Sequence, residues 1–107
     1  MSRWMLALVL SLLGLGSASA EPLAAARQVE LHNLLVQDCG SCHGLTMRGG
    51  LGPALLPENL RDRPREALID TVLNGRPDTA MPPWNRMLSR DEAAWMIDQL
   101  RHGITSP

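Results

Sequence analysis

Cys39-Gly40-Ser41-Cys42-His43 has the form C-x-x-C-H, the sequence signature of covalent haem attachment. The spacing has a chemical reason. Two thiols three positions apart on a helical turn face the same way, so each can form a thioether with one haem vinyl group. His43 follows at once and offers a neutral imidazole nitrogen to the iron. Three other uses of a cysteine pair compete. A thioredoxin-like dithiol belongs in an alternating β/α pattern, and none surrounds this one. A zinc site needs further cysteines or clustered histidines. The chain has no other cysteine, and His32 and His102 lie apart from the motif. A plain disulfide suits an oxidising compartment, but the histidine-bearing motif overrides it.

On the N-terminal side, Leu31, Leu34 and Leu35 recur at i, i+3 and i+4 and predict a helix from about Ala24 to Asp38. The helix runs into the motif, so its apolar stripe and His43 can share one core. His32, beside that stripe, reads as a surface or half-buried residue rather than a stray ligand. On the C-terminal side, Gly44 to Pro57 is rich in glycine and reads as an ordered loop. Glycine there permits close approach to a flat ligand. Pro53 keeps a carbonyl that can accept the second ring N–H of His43 and fix the ring, as metal-bound histidines require. It also fits a plain turn proline.

Farther along, Asn59 to Asp62 predicts a short turn. Pro64 suits the first position of a helix with Glu66 in its first turn. Leu68, Ile69, Val72 and Leu73 form its stripe, and Gly75 stops it. Arg76 to Leu88 is a second loop, marked by Pro77, Pro82 and Pro83, and it contains Met81 and Met87. A thioether from such a loop can bind haem iron opposite His43 and raise the reduction potential. Methionine is far more often core filler, but a haem demands a sixth position. Met81, with rigid prolines behind it, is the choice. Met47 follows His43 too closely to reach the other face, and Met87, beside the next helix, reads as packing. Ser89-Arg90-Asp91-Glu92 is a capping box. It opens a helix through Ala93, Met96, Ile97 and Leu100 that Gly103 ends. No strand pattern or repeat is present. The fold class is therefore all-α, with three main helices and haem-lining loops.

The 107 residues predict one domain preceded by a leader. Arg3, the apolar run Leu6 to Leu15 and the small residues Ala18-Ser19-Ala20 have the layout of a cleaved secretory signal over residues 1–20. The apolar run is short for a membrane span. Export places residues 21–107 in a periplasm or an equivalent space, with no stable membrane insertion after cleavage. A domain this small has a marginal core of its own. It has no Phe or Tyr, and only Trp84 and Trp95 as aromatics. A buried, covalently held haem supplies the missing apolar volume. The domain carries nine arginines, eleven carboxylates and no lysine, which argues against nucleic acid as a partner. Arg61, Arg63 and Arg65 form a local cluster. A solvated face is the default reading, and contact with haem propionates or a partner is the sharper one.

These residues resemble the class I cytochrome c family over essentially the whole predicted domain. Cys39 to Gly44 looks like the family's haem site, Gly50-Leu51-Gly52-Pro53-Ala54-Leu55 like its proline loop, and Met81-Pro82 like its axial-ligand loop. The helix Ala93 to Leu100 looks like the one that crosses the first. Cys39 to Leu56 and Gly75-Arg76-Pro77 through Met81-Pro82-Pro83-Trp84 also resemble a narrower group. Its members are the small periplasmic cytochromes encoded beside haem-c/haem-d nitrite reductase in denitrifying bacteria. The resemblance implies one haem c, His43 and Met81 as iron ligands, Pro53 beside the haem, and a redox partner, nitrite reductase or the maturation of its haem. Two features depart from the family. A small residue is usual where Leu31 stands and an aromatic where Leu35 or Met96 stands, and the lysine ring that some members use for docking is absent.

Three function classes compete, the third being a chaperone-like binding module for haem maturation in which redox is incidental. In the first, an electron carrier, both iron positions are filled from the protein and no substrate binds. In the second, a gas-binding or small peroxidase-like protein, the Met ligand is labile and acid–base groups serve the vacated side. No paired His and Arg or acid stands near Met81 in sequence. For Trp84, two roles are open: anchoring a partner at the haem edge, or packing inward on the haem or a propionate.

Overall fold

In the computed structural model, Gly14 and residues 23–104 are described. The predicted leader, Gly14 apart, lies outside the described residues. Helix α1 (Ala25–Leu34) continues without a break through a π-helical turn, Leu35–Cys39, into α2 (Gly40–His43). The predicted helix thus extends five residues further, to His43, and its winding loosens before the first cysteine. At the end of the π turn the Gly40 amide donates to the Leu35 carbonyl. A wider turn of this kind rotates everything after it relative to a regular α-helix. Leu31 and Leu35 are buried in the core, while Cys39, Cys42 and His43 line a cavity.

The turn predicted at Asn59–Asp62 is a short helix, α3 (Pro57–Leu60), with only Arg61 and Asp62 in the turn after it. Pro57 stands in its first turn, where a missing N–H costs nothing. Helix α4 is Arg65–Asn74, so Pro64 is its cap rather than its first residue, and Gly75 ends it with φ of +67°. Helix α5 is Arg90–His102. Its capping box is complete: the Glu92 amide donates to Ser89 Oγ at 3.1 Å, and the Ser89 amide donates to the Glu92 carboxylate at 2.9 Å.

Helix α5 is the hub, packing against α1, α3 and α4. It contributes Ala93, Met96, Ile97 and Leu100, a helical stripe, to a core shared with Leu31, Leu35, Leu60 and Ile69. Leu31 on α1 and Ala93 on α5 are both fully buried in that core. Burial of each such Leu or Ile is worth about 1.5–3 kcal/mol. Met47 also joins this core, whereas Met87, expected to pack, is 63% exposed. Both Met87 and Leu88 donate their amides to the Trp84 carbonyl. That single turn sends Leu88 inward and leaves Met87 outside.

Ion pairs lace the outer faces of these helices. Arg65 forks onto Asp98 at 2.7 and 2.9 Å, and Arg90 reaches Asp70 at 2.8 Å and Glu66 at 2.7 Å. Both tie α4 to α5. Arg27 bonds to Glu92 and so ties α1 to the cap of α5. The cluster Arg61, Arg63 and Arg65 is therefore divided: Arg65 belongs to a helix clasp, while Arg61 and Arg63 are exposed. No described helix is long and apolar enough to cross a membrane.

Candidate haem site

A largely apolar cavity of about 490 Å³ opens between the two long loops. The helices supply its inner wall through Leu35, Leu60, Leu68, Val72, Met96 and Leu100. Cys39, Cys42 and His43 border it from α2 and the turn before, and Met81, Thr79 and Trp84 border it from the second loop. His32, Met47 and Met87 do not line it.

The first loop fixes His43. Gly52 and Gly49 donate their amides to the carbonyls of Cys42 and His43, each at 2.8 Å. Those carbonyls would otherwise be orphaned at the end of the helix. This fold-back brings the Pro53 carbonyl 2.7 Å from His43 Nδ1. The ring therefore donates from Nδ1 and keeps its lone pair on Nε2, the tautomer a metal-bound histidine needs. Gly52 lies flat against the same ring: a Cβ there would sit 2.7 Å from Cε1 and 2.8 Å from Nδ1. Pro53 stood out singly in the sequence, whereas Gly52 was one of several glycines in a loop able to approach a flat ligand.

The two thiols are free and partly buried. Burial, reinforced by the Asp38 carboxylate, pushes the Cys39 thiol up to about 11. A redox dithiol needs the opposite shift, and the all-helical surroundings are not those of a thioredoxin site.

The second loop carries Met81 to the cavity. Trp84 and Asn85 donate their amides to the carbonyls of Val72 and Leu73 near the end of α4. Gly75 permits this return: a Cβ there would meet the Met81 carbonyl at 2.7 Å and Pro82 and Pro83 backbone at 2.8 Å. Trp84 is half-buried and lines the cavity. The cavity's charged lining is Arg63 and Arg76, with His43 the other titratable side chain besides the thiols. Arg76 had no sequence signal of its own.

The family described as cytochrome c oxidase, cbb3-type, subunit III, matches residues 26–99. Cytochrome c55X of Pseudomonas aeruginosa is 60% identical over 83 residues, spanning 78% of this chain and 70% of the relative. Cytochrome c55X of Stutzerimonas stutzeri is 53% identical over 99% of this chain and 93% of its own. The chain belongs to the cytochrome c55X family of class I c-type cytochromes. The solved structure of c-type cytochrome NirC superposes with a TM-score of 0.73 at 60% identity, covering 75% of this chain and 94% of that one. Dihydro-haem d1 dehydrogenase of Pseudomonas aeruginosa is 42% identical over 67% of this chain but only 14% of its own length. The cytochrome is thus an all-α electron-transfer protein associated with denitrification, not an enzyme.

Haem c bound through cysteine thioethers is the cofactor of such cytochromes, and the residues present fit it. The cavity offers two thiols on one helical edge, an imidazole already oriented by Pro53, and a thioether. Its wall is apolar, as a porphyrin requires, and its cationic lining, Arg63 and Arg76, suits the anionic propionates.

Proposed function

We propose that this cytochrome is a periplasmic one-electron carrier with a single haem c held by Cys39 and Cys42, its iron ligated by His43 and Met81. Residues 1–20 direct export and residues 21–107 form the carrier domain. The observation that carries the reading is that one cavity is bordered by Cys39, Cys42 and His43 from the end of the first helix and by Met81 from the second loop. Bound there, haem c supplies a ferrous/ferric couple whose potential the protein tunes. Pro53 holds the His43 ring, Gly52 keeps space beside it, and the apolar wall excludes water. With His43 and Met81 both available to hold the iron, the site would transfer electrons without binding substrate.

The partner we infer is haem-c/haem-d nitrite reductase or the maturation of its haem. Similarity to dihydro-haem d1 dehydrogenase, solved in complex with DHE, supports the second branch. Leu51 is 93% exposed at the cavity rim, and Pro82 and Pro83 are exposed beside Met81. This is an apolar edge on which a redox protein can rest. With few net charges, long-range steering is modest.

One experiment tests ligation and partner together. The oxidised wild type should show the weak near-infrared band of iron–thioether coordination. Met81→Ala should lose it and Met87→Ala should keep it. The ferrous wild type should reduce nitrite reductase rapidly with weak dependence on salt. Retention of the band in Met81→Ala would overturn the ligand, and no detectable transfer would overturn that partner.

A further inference from the structure

The segment between Gly75 and Met81 is closed by a set of bonds that converge on one side chain. Arg76-Pro77-Asp78-Thr79 forms a reverse turn in which the Thr79 amide donates to the Arg76 carbonyl at 3.2 Å. Pro77 takes the second place and Asp78 the third, with φ of +61°, as a type II turn requires. The Thr79 hydroxyl donates to the same Arg76 carbonyl at 2.7 Å and accepts from the Met81 amide at 3.3 Å. The Arg76 amide in turn donates to the Met81 carbonyl at 3.2 Å. Thr79 Oγ1 therefore links the two ends of this ring. It is the side chain that bonds Met81's backbone among the described residues.

We propose that Thr79 is a positioning residue for Met81. Its hydroxyl holds the loop closed, so that the thioether stays committed to the cavity and foreign ligands are kept from the iron. The proposal rests on the reading of Met81 as an iron ligand. The physical logic is a two-state loop. A competing ligand binds only when Met81 has swung away, so its apparent affinity scales with the open fraction. Thr79 lies near the surface. Its bonds compete with water, and their loss shifts this equilibrium modestly while the core is untouched.

The test is titration of the oxidised, haem-loaded protein with imidazole, followed by loss of the iron–thioether band. Thr79→Val removes the hydroxyl at nearly constant shape and should bind imidazole about five-fold more tightly, the change expected from one hydrogen bond of ordinary net strength. Thr79→Ala should do the same without the second methyl. Thr79→Ser, which keeps the hydroxyl, should match the wild type. The midpoint for denaturant unfolding should stay close to wild type in all three, separating positioning from general stability. Wild-type imidazole affinity in both Thr79→Val and Thr79→Ala would overturn the proposal, and so would tightened binding in Thr79→Ser. If Met81→Ala retained the band, the underlying ligand reading would fail instead. If it lost the band while the Thr79 variants behaved as wild type, only the positioning role would fall.

Discussion

The two loops that face each other across the cavity are built differently. The first, from Gly44 to Leu56, is fastened by backbone to the helix that bears the cysteines: the Gly49 and Gly52 amides satisfy the carbonyls of His43 and Cys42. His43 is thus held by bonds local in sequence, within about a dozen residues. The second loop returns Met81 to the same cavity from far along the chain. It hangs from the end of α4 through the amides of Gly75, Trp84 and Asn85. Between those anchors, residues 76–80 are exposed and closed by two backbone bonds, Arg76 to Met81 and Thr79 to Arg76, and by one threonine hydroxyl. The difference teaches where a small haem protein puts its rigidity. The histidine side follows directly from the attachment motif, while the methionine side depends on a loop that water can contest.

Substitutions at the glycines break this contrast most sharply. Gly75→Ala should have the largest effect. Its Cβ would strike backbone of Met81, Pro82 and Pro83, none of which can swing aside, and φ is +67°. Strain and overpacking together should cost on the order of 3 kcal/mol. Denaturant unfolding measures it, and a loss below about 1 kcal/mol would mean that the second loop yields more easily than its packing implies.

Gly52→Ala should cost less in stability, about 1 kcal/mol, because the new methyl meets the His43 ring rather than backbone. Its effect should be read at the iron. Covalent haem should remain, since both cysteines are intact, but the g values of the low-spin ferric protein should shift as the ring turns away from Pro53. Unchanged g values would show that the glycine does not set the ring.

Asp98→Asn touches neither loop and should have the smallest effect. The Arg65 guanidinium holds the Asp98 carboxyl below its usual range, with Arg101 and His102 adding to the shift. A lowered folded value means stabilisation that is complete above the unfolded carboxylate value of about 3.9 and is lost as pH falls through the lower folded one. Both partners are partly exposed, so solvent screens the pair. Asp98→Asn should lower the thermal midpoint slightly near neutral pH, and the gap from wild type should close below about pH 4. A gap that persisted in acid would assign the effect to packing.

Much of the fold was legible because its signals are local. The capping box at Ser89 and Glu92, the stripe of α5 and the stop at Gly75 depend on residues a few positions apart, and each is present. The errors came where two local fates were nearly equal. Met87 and Leu88 leave one turn on opposite sides, and apolar character alone does not say which goes in. Asn59 sits inside a one-turn helix rather than a turn, since Pro57 can open either. The π-helical turn Leu35–Cys39 has no composition signal.

The sequence by itself carried the attachment signature. Cys39, Cys42 and His43 are close in the chain, and a helical turn is enough to bring them to one edge. It also determined the helices, whose caps and stripes lie within each segment. Only the tertiary structure decided which arginine of the 61–65 cluster becomes a clasp on Asp98, that Met47 joins the core while Met87 stays outside, and that Thr79 bonds the Met81 amide. Those outcomes depend on partners distant in sequence or on the path of an irregular backbone. Neither has a periodicity to read, and both are fixed only when α5 has gathered the other helices around the cavity.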